Sequence, residues 1–150
     1  NLPGRPPLVA NGDVVDAASA RAALEQSGAD AVMVGRGAQG APWRLAQIAH
    51  ALWDTPAPQL PQGAALAEAV AEHYDDILSF YGHELGLRVA RKHLGWYAEA
   101  NGAPNRAELM RAATPGATLT AIRAGFGDAV PPGSTTAGPE ITGPAITGAP

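Results

Sequence analysis

Asn11-Gly12-Asp13, Gly35-Arg36-Gly37 and Arg91-Lys92-His93-Leu94-Gly95-Trp96-Tyr97 are the strings in this chain whose residue types and spacing could carry chemistry. The first two each follow a short apolar run, Leu8-Val9-Ala10 and Ala31-Val32-Met33-Val34, and lie about one βαβ unit apart. Glycines at a strand exit let backbone N–H groups approach an anion closely, and an arginine there adds a charge-assisted hydrogen bond. Gly12, Gly35, Arg36 and Gly37 thus compose a candidate phosphate cradle. Asn11 and Asp13 are suited to fixing the loop through side-chain bonds to backbone, since Asp13 itself would repel a phosphate. Taken singly, each string is also an ordinary turn, and Arg36 is also readable as a solvated loop arginine. The pairing after two apolar strands is what favours the cradle.

The third string belongs to a segment, 84–100, with helical periodicity. Arg88, Arg91 and Lys92 stand at i, i+3 and i+4 and so share a face. Arg88 and Lys92 have the reach to straddle backbone phosphates, and an exposed aromatic can stack on an unpaired base. The competing reading is a solvated charged face, with Trp96 and Tyr97 packed in the interior of the helical domain. Packing is where those two rings are placed here, because their apolar area is worth more buried. Net charge is −4, which argues against a generic nucleic-acid binder, but residues 85–127 carry six Lys/Arg against two acids. A ligand meets that local field rather than the net charge.

Other chemistry is sparse. With no cysteine, the residues present offer no disulfide, no thiolate metal site and no cysteine acid or nucleophile. Among His50, His73, His83 and His93 no pair has the spacing and carboxylate company of a zinc site, so no metal is expected. His73 is expected to pack beside Tyr74. Asp30 precedes the second strand, at the end opposite the exits, and reads as structural. No nucleophile, base and orienter occur together, so no residue is assigned a catalytic role.

The elements that must position these groups are legible. Asp16 is placed to cap a helix over 17–27 with Ala17, Ala20, Ala23 and Leu24 inward, and Gly28 to end it. Pro42 suits the first position of a helix reaching Trp53. Residues 54–63 (DTPAPQLPQG) have linker composition. Helices follow over 64–82, with Leu66, Val70, Tyr74, Ile77, Leu78 and Tyr81 inward, and over 84–100, with Leu87, Val89, Leu94 and Tyr97 inward. Asn101-Gly102-Ala103-Pro104 breaks the run, and two shorter helices occupy 106–113 and 116–126. From Asp128 onward Gly, Pro, Thr and Ala dominate, so a disordered tail is expected. There is no export signal and no run of 18 apolar residues. Residue 1 is not Met and the chain opens just before a strand, so it reads as a piece of a longer protein.

The run from Leu8-Val9-Ala10-Asn11-Gly12-Asp13 to Gly35-Arg36-Gly37-Ala38-Gln39-Gly40-Ala41-Pro42-Trp43 resembles the end of the flavin barrel of tRNA-dihydrouridine synthases. Gly86-Leu87-Arg88-Val89-Ala90-Arg91-Lys92-His93-Leu94-Gly95-Trp96-Tyr97 is similar to the bacterial B-type branch, and the likeness spans 6–126. The resemblance implies an α/β fold: the last two βα units of a TIM barrel (1–54), a linker (55–63), a small all-helical tRNA-binding domain (64–127) and the tail (128–150). It implies FMN contacts by Asn11, Gly12 and Asp13 after the seventh strand, and phosphate contacts by Gly35 and Arg36 after the eighth. Arg88, Arg91 and Lys92 fall in the part that holds tRNA.

The activity so implied is NADPH- or NADH-driven reduction of tRNA uridines, a hydride passing from FMN to C6 and a cysteine protonating C5. That cysteine would precede this chain, so the chain alone is expected to be inactive and to hold FMN weakly. A cytoplasmic protein, monomeric at full length and free of membrane and metal, is the corresponding expectation. Two alternatives stand beside it. Another FMN barrel, such as a dihydroorotate dehydrogenase-like enzyme, would explain 8–43 but not the basic helices. A non-enzymatic helical RNA-binding fragment would explain the missing chemistry.

Overall fold

A computed structural model describes residues 4–127 of the chain. The expected tail at 128–150 lies outside the described residues. Two short strands, β1 (Val9–Asn11) and β2 (Ala31–Met33), pair in parallel with Val9 opposite Ala31 and Asn11 opposite Met33. Parallel pairing sets both exits at one end, as the spacing of the apolar runs predicts. β1 is shifted one residue later than the expected 8–10, and β2 ends one residue before the expected 34. Leu8 stays outside β1 because Asp30 takes its N–H (2.8 Å), while its carbonyl accepts from the Asp30 and Ala31 N–H groups. Asp30 also accepts two bonds from Arg5, at 2.7 and 3.0 Å. The Leu8 N–H first, and Arg5 second, hold its carboxyl below the usual range.

Between the strands runs α1 (Ala17–Ser27), closed by a capping box. The Asp16 carboxylate accepts from the Ser19 N–H at 2.8 Å, and the Ser19 hydroxyl oxygen accepts from the Asp16 N–H at 3.0 Å. Gly28 ends the helix in the left-handed conformation. The next helix departs from expectation. α2 runs from Arg44 to Trp53, and Pro42 and Trp43 lie in a turn before it. The chain first makes a 3₁₀ turn at Arg36–Ala38 and reverses at Gly40 (φ 71°), so helical geometry begins only after Trp43. The core of this first unit is small: Val14, Ala20 and Ile48, with Ala23, Val32, Val34 and Leu52 against them. Val9 and Met33 stay exposed, because a sheet of two strands has little to cover it.

Residues 54–62 have no regular structure. The two helices expected over 64–82 and 84–100 form one element, α3 (Gly63–Asn101), broken at Gly82. Gly82 sits at φ 72° and ψ 171°, a region open in practice only to glycine. The arms fold back on one another: the His73 ring meets those of His93 and Tyr97 at 5.1 and 5.8 Å. The short helices α4 (Arg106–Arg111) and α5 (Pro115–Gly127) complete the unit. Leu66, Val70, Tyr74, Ile77, Leu78, Leu94, Tyr97, Leu109, Ile122 and Phe126 form its core. Each large side chain fully buried there contributes roughly 1.5–3 kcal/mol by area. Two ring placements are corrected. Tyr81 lies exposed near the Gly82 break, edge-on to Phe80. Trp96 is half-buried and outside this core, because it turns toward the loop after β2; Tyr97 is in the core as expected.

The Tyr74 hydroxyl is buried with no hydrogen-bond partner. An unsatisfied polar atom costs about 1–3 kcal/mol. Tyr74→Phe is therefore expected to raise stability by about 1 kcal/mol, read as a higher midpoint in thermal or urea unfolding. A lower midpoint would show that the hydroxyl has found a partner in solution.

Candidate functional site

The exits of β1 and β2 frame an open hollow of about 620 Å³. Asn11, Gly12, Asp13, Gly35 and Arg36, drawn from two separated loops, all line it, with Val14, Val15, Met33 and Gly37. Asp13 behaves differently from the expected side-chain bond to backbone. Its carboxylate accepts from Arg36 at 2.6 Å, and both side chains are more than 80% exposed (84% and 82%). An ion pair this wet is worth at most about 1 kcal/mol, so an arriving dianion can compete for the guanidinium. The Arg36 and Gly37 N–H groups open the 3₁₀ turn and find no acceptor among the described residues.

The loop bearing these donors is clamped on both sides. A Cβ at Gly37 would collide with the Val14 carbonyl, so the second exit lies flush on the first. Arg44 donates from Nη1 to the Gly37 carbonyl at 2.7 Å. Farther on, a Cβ at Gly40 would collide with the Trp96 carbonyl, and Asn101 donates from Nδ2 to the Gly40 carbonyl at 2.9 Å. Sequence reasoning missed Arg44 and Asn101. The chain shows Arg44 only as a residue near a helix start and Asn101 only as part of a helix break. Their use depends on which carbonyls the fold brings near them.

Against this loop α3 presents Trp96, His93, His73 and Tyr97, which with Gln39 and Pro42 line a second hollow of about 230 Å³. Lys92 Nζ sits 4.9 Å from the centre of the Trp96 ring, a cation–π contact. His73 Nδ1 and the Tyr97 hydroxyl are 3.1 Å apart, so His73 bonds Tyr97 across the hairpin. The three basic residues are not equivalent. Arg88 and Lys92 are exposed, but Arg91 turns inward and donates to the Ala112 carbonyl at 3.4 Å, with its Nε buried and unpartnered. Spacing on α3 puts Arg91 beside the others; the α4–α5 connection captures it. Among the described residues no cluster of three or more His, Cys, Asp or Glu could hold a metal, and no helix is long and apolar enough to cross a membrane.

Burial foremost, then His73 and Lys92, lowers the pKa of His93, and burial raises that of Tyr97. For His93 the unfolded chain binds the proton more readily than the folded one. Its contribution is therefore present above the unfolded pKa, about 6.5, and is lost as pH falls from there toward the folded value. His93→Gln is expected to flatten the fall in unfolding free energy between about pH 7 and 5. Urea titrations of parent and variant across that range would measure it, and parallel curves would exclude His93 as the source.

The dihydrouridine synthase (Dus) family model matches residues 2–129. A probable tRNA-dihydrouridine synthase of Rhodobacter capsulatus is 67% identical over 122 residues, 81% of this chain and 38% of that protein. A probable tRNA-dihydrouridine synthase of Rickettsia conorii is 47% identical over 106 residues, 71% of this chain and 31% of that protein. A tRNA-dihydrouridine synthase B of Xanthomonas axonopodis pv. citri is 43% identical over 119 residues, 78% of this chain and 36% of that protein. The chain thus spans about a third of the length of these curated relatives. With the dihydrouridine synthase model matching residues 2–129, most of its length, the chain belongs to the dihydrouridine synthase family.

Proposed function

We propose that this chain is the C-terminal portion of an FMN-dependent tRNA-dihydrouridine synthase and supplies its cofactor-phosphate contacts and part of its tRNA contacts. The observation that carries the reading is the convergence of Asn11–Asp13 and Gly35–Arg36 on one hollow in a chain of this family. Membership also sets aside the dihydroorotate dehydrogenase-like alternative. The two strands are read as the last two of a TIM barrel, whose phosphate sites lie at the carboxyl ends of such strands.

The residues present fit a phosphate. Gly35 and Gly37 keep the loop free of side chains, two N–H groups lack acceptors among the described residues, and Arg36 is held by a pair weak enough to exchange. Asp13 keeps the guanidinium at the mouth until the phosphate takes its place. When bound, FMN reduced by NADPH or NADH supplies the hydride for C6 of the target uridine. This chain's residues contribute binding and orientation. The chain has no cysteine, so the proton for C5 comes from a residue outside it. Arg88 and Lys92 on the exposed face of α3 contact RNA phosphates, while Arg91 serves the fold first.

In the intact enzyme Arg36→Ala should weaken FMN retention by about 1.5–3 kcal/mol, the loss of one charge-assisted bond, with the melting temperature little changed. Flavin-fluorescence titration would measure it, and an unchanged dissociation constant would return Arg36 to the status of a surface residue. For RNA, Arg88→Ala with Lys92→Ala should reduce the slope of log affinity against log salt by about one unit for each phosphate no longer neutralised. Filter binding of tRNA at several salt concentrations would read the slope, and parent-like affinity would remove both residues from the RNA surface.

A further inference from the structure

The loop from Gly35 to Trp43 leaves the phosphate hollow and ends against α3. Among the described residues, the backbone of this loop comes closest to α3, and Arg44 and Gln47 at the start of α2 border a hollow shared with Leu66 and Asn101. The meeting has little slack. Gly37 lies on the Val14 carbonyl and Gly40 on the Trp96 carbonyl, each without room for a Cβ. Between those close approaches, two carbonyls are held by side chains from outside the loop: Gly37 O by Arg44 at 2.7 Å and Gly40 O by Asn101 at 2.9 Å. Asn101 closes the C-terminal arm of α3 and also donates to the Tyr97 carbonyl at 2.9 Å, so its amide is set by the helix rather than by the loop. Trp43, on the far side of the Gly40 turn, packs against the helical core.

We propose that Arg44 and Asn101 are positioning residues for the cofactor phosphate, and that through Asn101 the helical unit sets how tightly the barrel portion holds its flavin. This rests on the assignment of the Gly35–Arg36 loop to the FMN phosphate. Neither residue is among those lining the phosphate hollow. They act by fixing the carbonyls of Gly37 and Gly40. The Gly37 carbonyl shares its peptide plane with the Ala38 N–H, which donates to the Gly35 carbonyl at 3.0 Å, and the Gln39 N–H donates to the Arg36 carbonyl at 3.0 Å, so the constraint reaches the peptides that carry the Arg36 and Gly37 N–H groups. Donors held in place lose less entropy when they capture an anion than donors that must be ordered. The coupling is reciprocal: bound phosphate that orders the loop steadies the docking of α3.

The test is FMN titration by flavin fluorescence in the intact enzyme, comparing parent, Asn101→Ala, Arg44→Ala, Arg44→Lys and Arg36→Ala, with a melting curve for each. Asn101→Ala and Arg44→Ala are expected to raise the FMN dissociation constant about tenfold, the loss of one hydrogen bond's worth of positioning. Arg44→Lys, which keeps a donor for Gly37 O, is expected to recover most of that affinity. Turnover at saturating FMN should return close to the parent value, which a general loss of structure would not allow. If Asn101→Ala fails to fold, Asn101→Leu, which keeps a similar side-chain volume without a donor, carries the same expectation. Parent-like FMN affinity in both the Asn101 and Arg44 variants, with Arg36→Ala weakened, would overturn the proposal and leave the phosphate assignment standing. Parent-like affinity in all of them would overturn both.

Discussion

The close approach of Gly40 to the Trp96 carbonyl is the constraint on which the arrangement of this chain turns. Gly40 adopts φ 71° and has no room for a side chain. Both conditions select glycine, one through backbone strain and the other through contact distance. Because of that contact, a loop that begins at a strand exit ends by resting on a helix of another unit. The delay of α2 to Arg44, the outward turn of Trp96 and the reach of Asn101 to the Gly40 carbonyl all accompany it.

The two units differ in what they can bury. The helical unit closes a core around Tyr74, Leu109, Ile122 and Phe126, each almost inaccessible to solvent. The strand unit has a small core around Val14, Ala20 and Ile48 and leaves Val9 and Met33 exposed on a sheet of two strands. The residues proposed to meet the cofactor phosphate sit on the less self-sufficient unit. The rigidity of their loop then comes from the contacts at its two ends rather than from the sheet beneath. The chain spans about a third of its relatives' length.

Electrostatics divides along the same line. Asp30 is bound by a backbone N–H and by Arg5, and it fixes where β1 begins. Asp13 has one partner in water, Arg36, and can release it at small cost. Arg91, spaced like Arg88 and Lys92, is drawn into the fold by a carbonyl. Residue type alone does not separate these roles; the number of partners and the depth of water around them does.

Local sequence determined a good deal. Asp16 and Gly28 mark the ends of α1 because capping and left-handed closure are short-range. Two apolar runs one crossover apart predict parallel strands with exits at a common end, and that pairing places Asn11–Asp13 beside Gly35–Arg36. The Asn101–Gly102 break was readable as an interruption of helical periodicity, and the periodicity marks a second interruption at about residue 83, one residue past the Gly82 kink. Tertiary structure decided the rest. The start of α2 moved because Gly40 turned the chain. Trp96 left the core because a distant loop, the one after β2, came to lie against it, and Arg91 left the open face because the Ala112 carbonyl fell within its reach. Arg44 and Asn101 acquired roles for the same reason: a hydrogen bond needs a partner at about 3 Å, and no window of sequence contains one that the fold alone brings near.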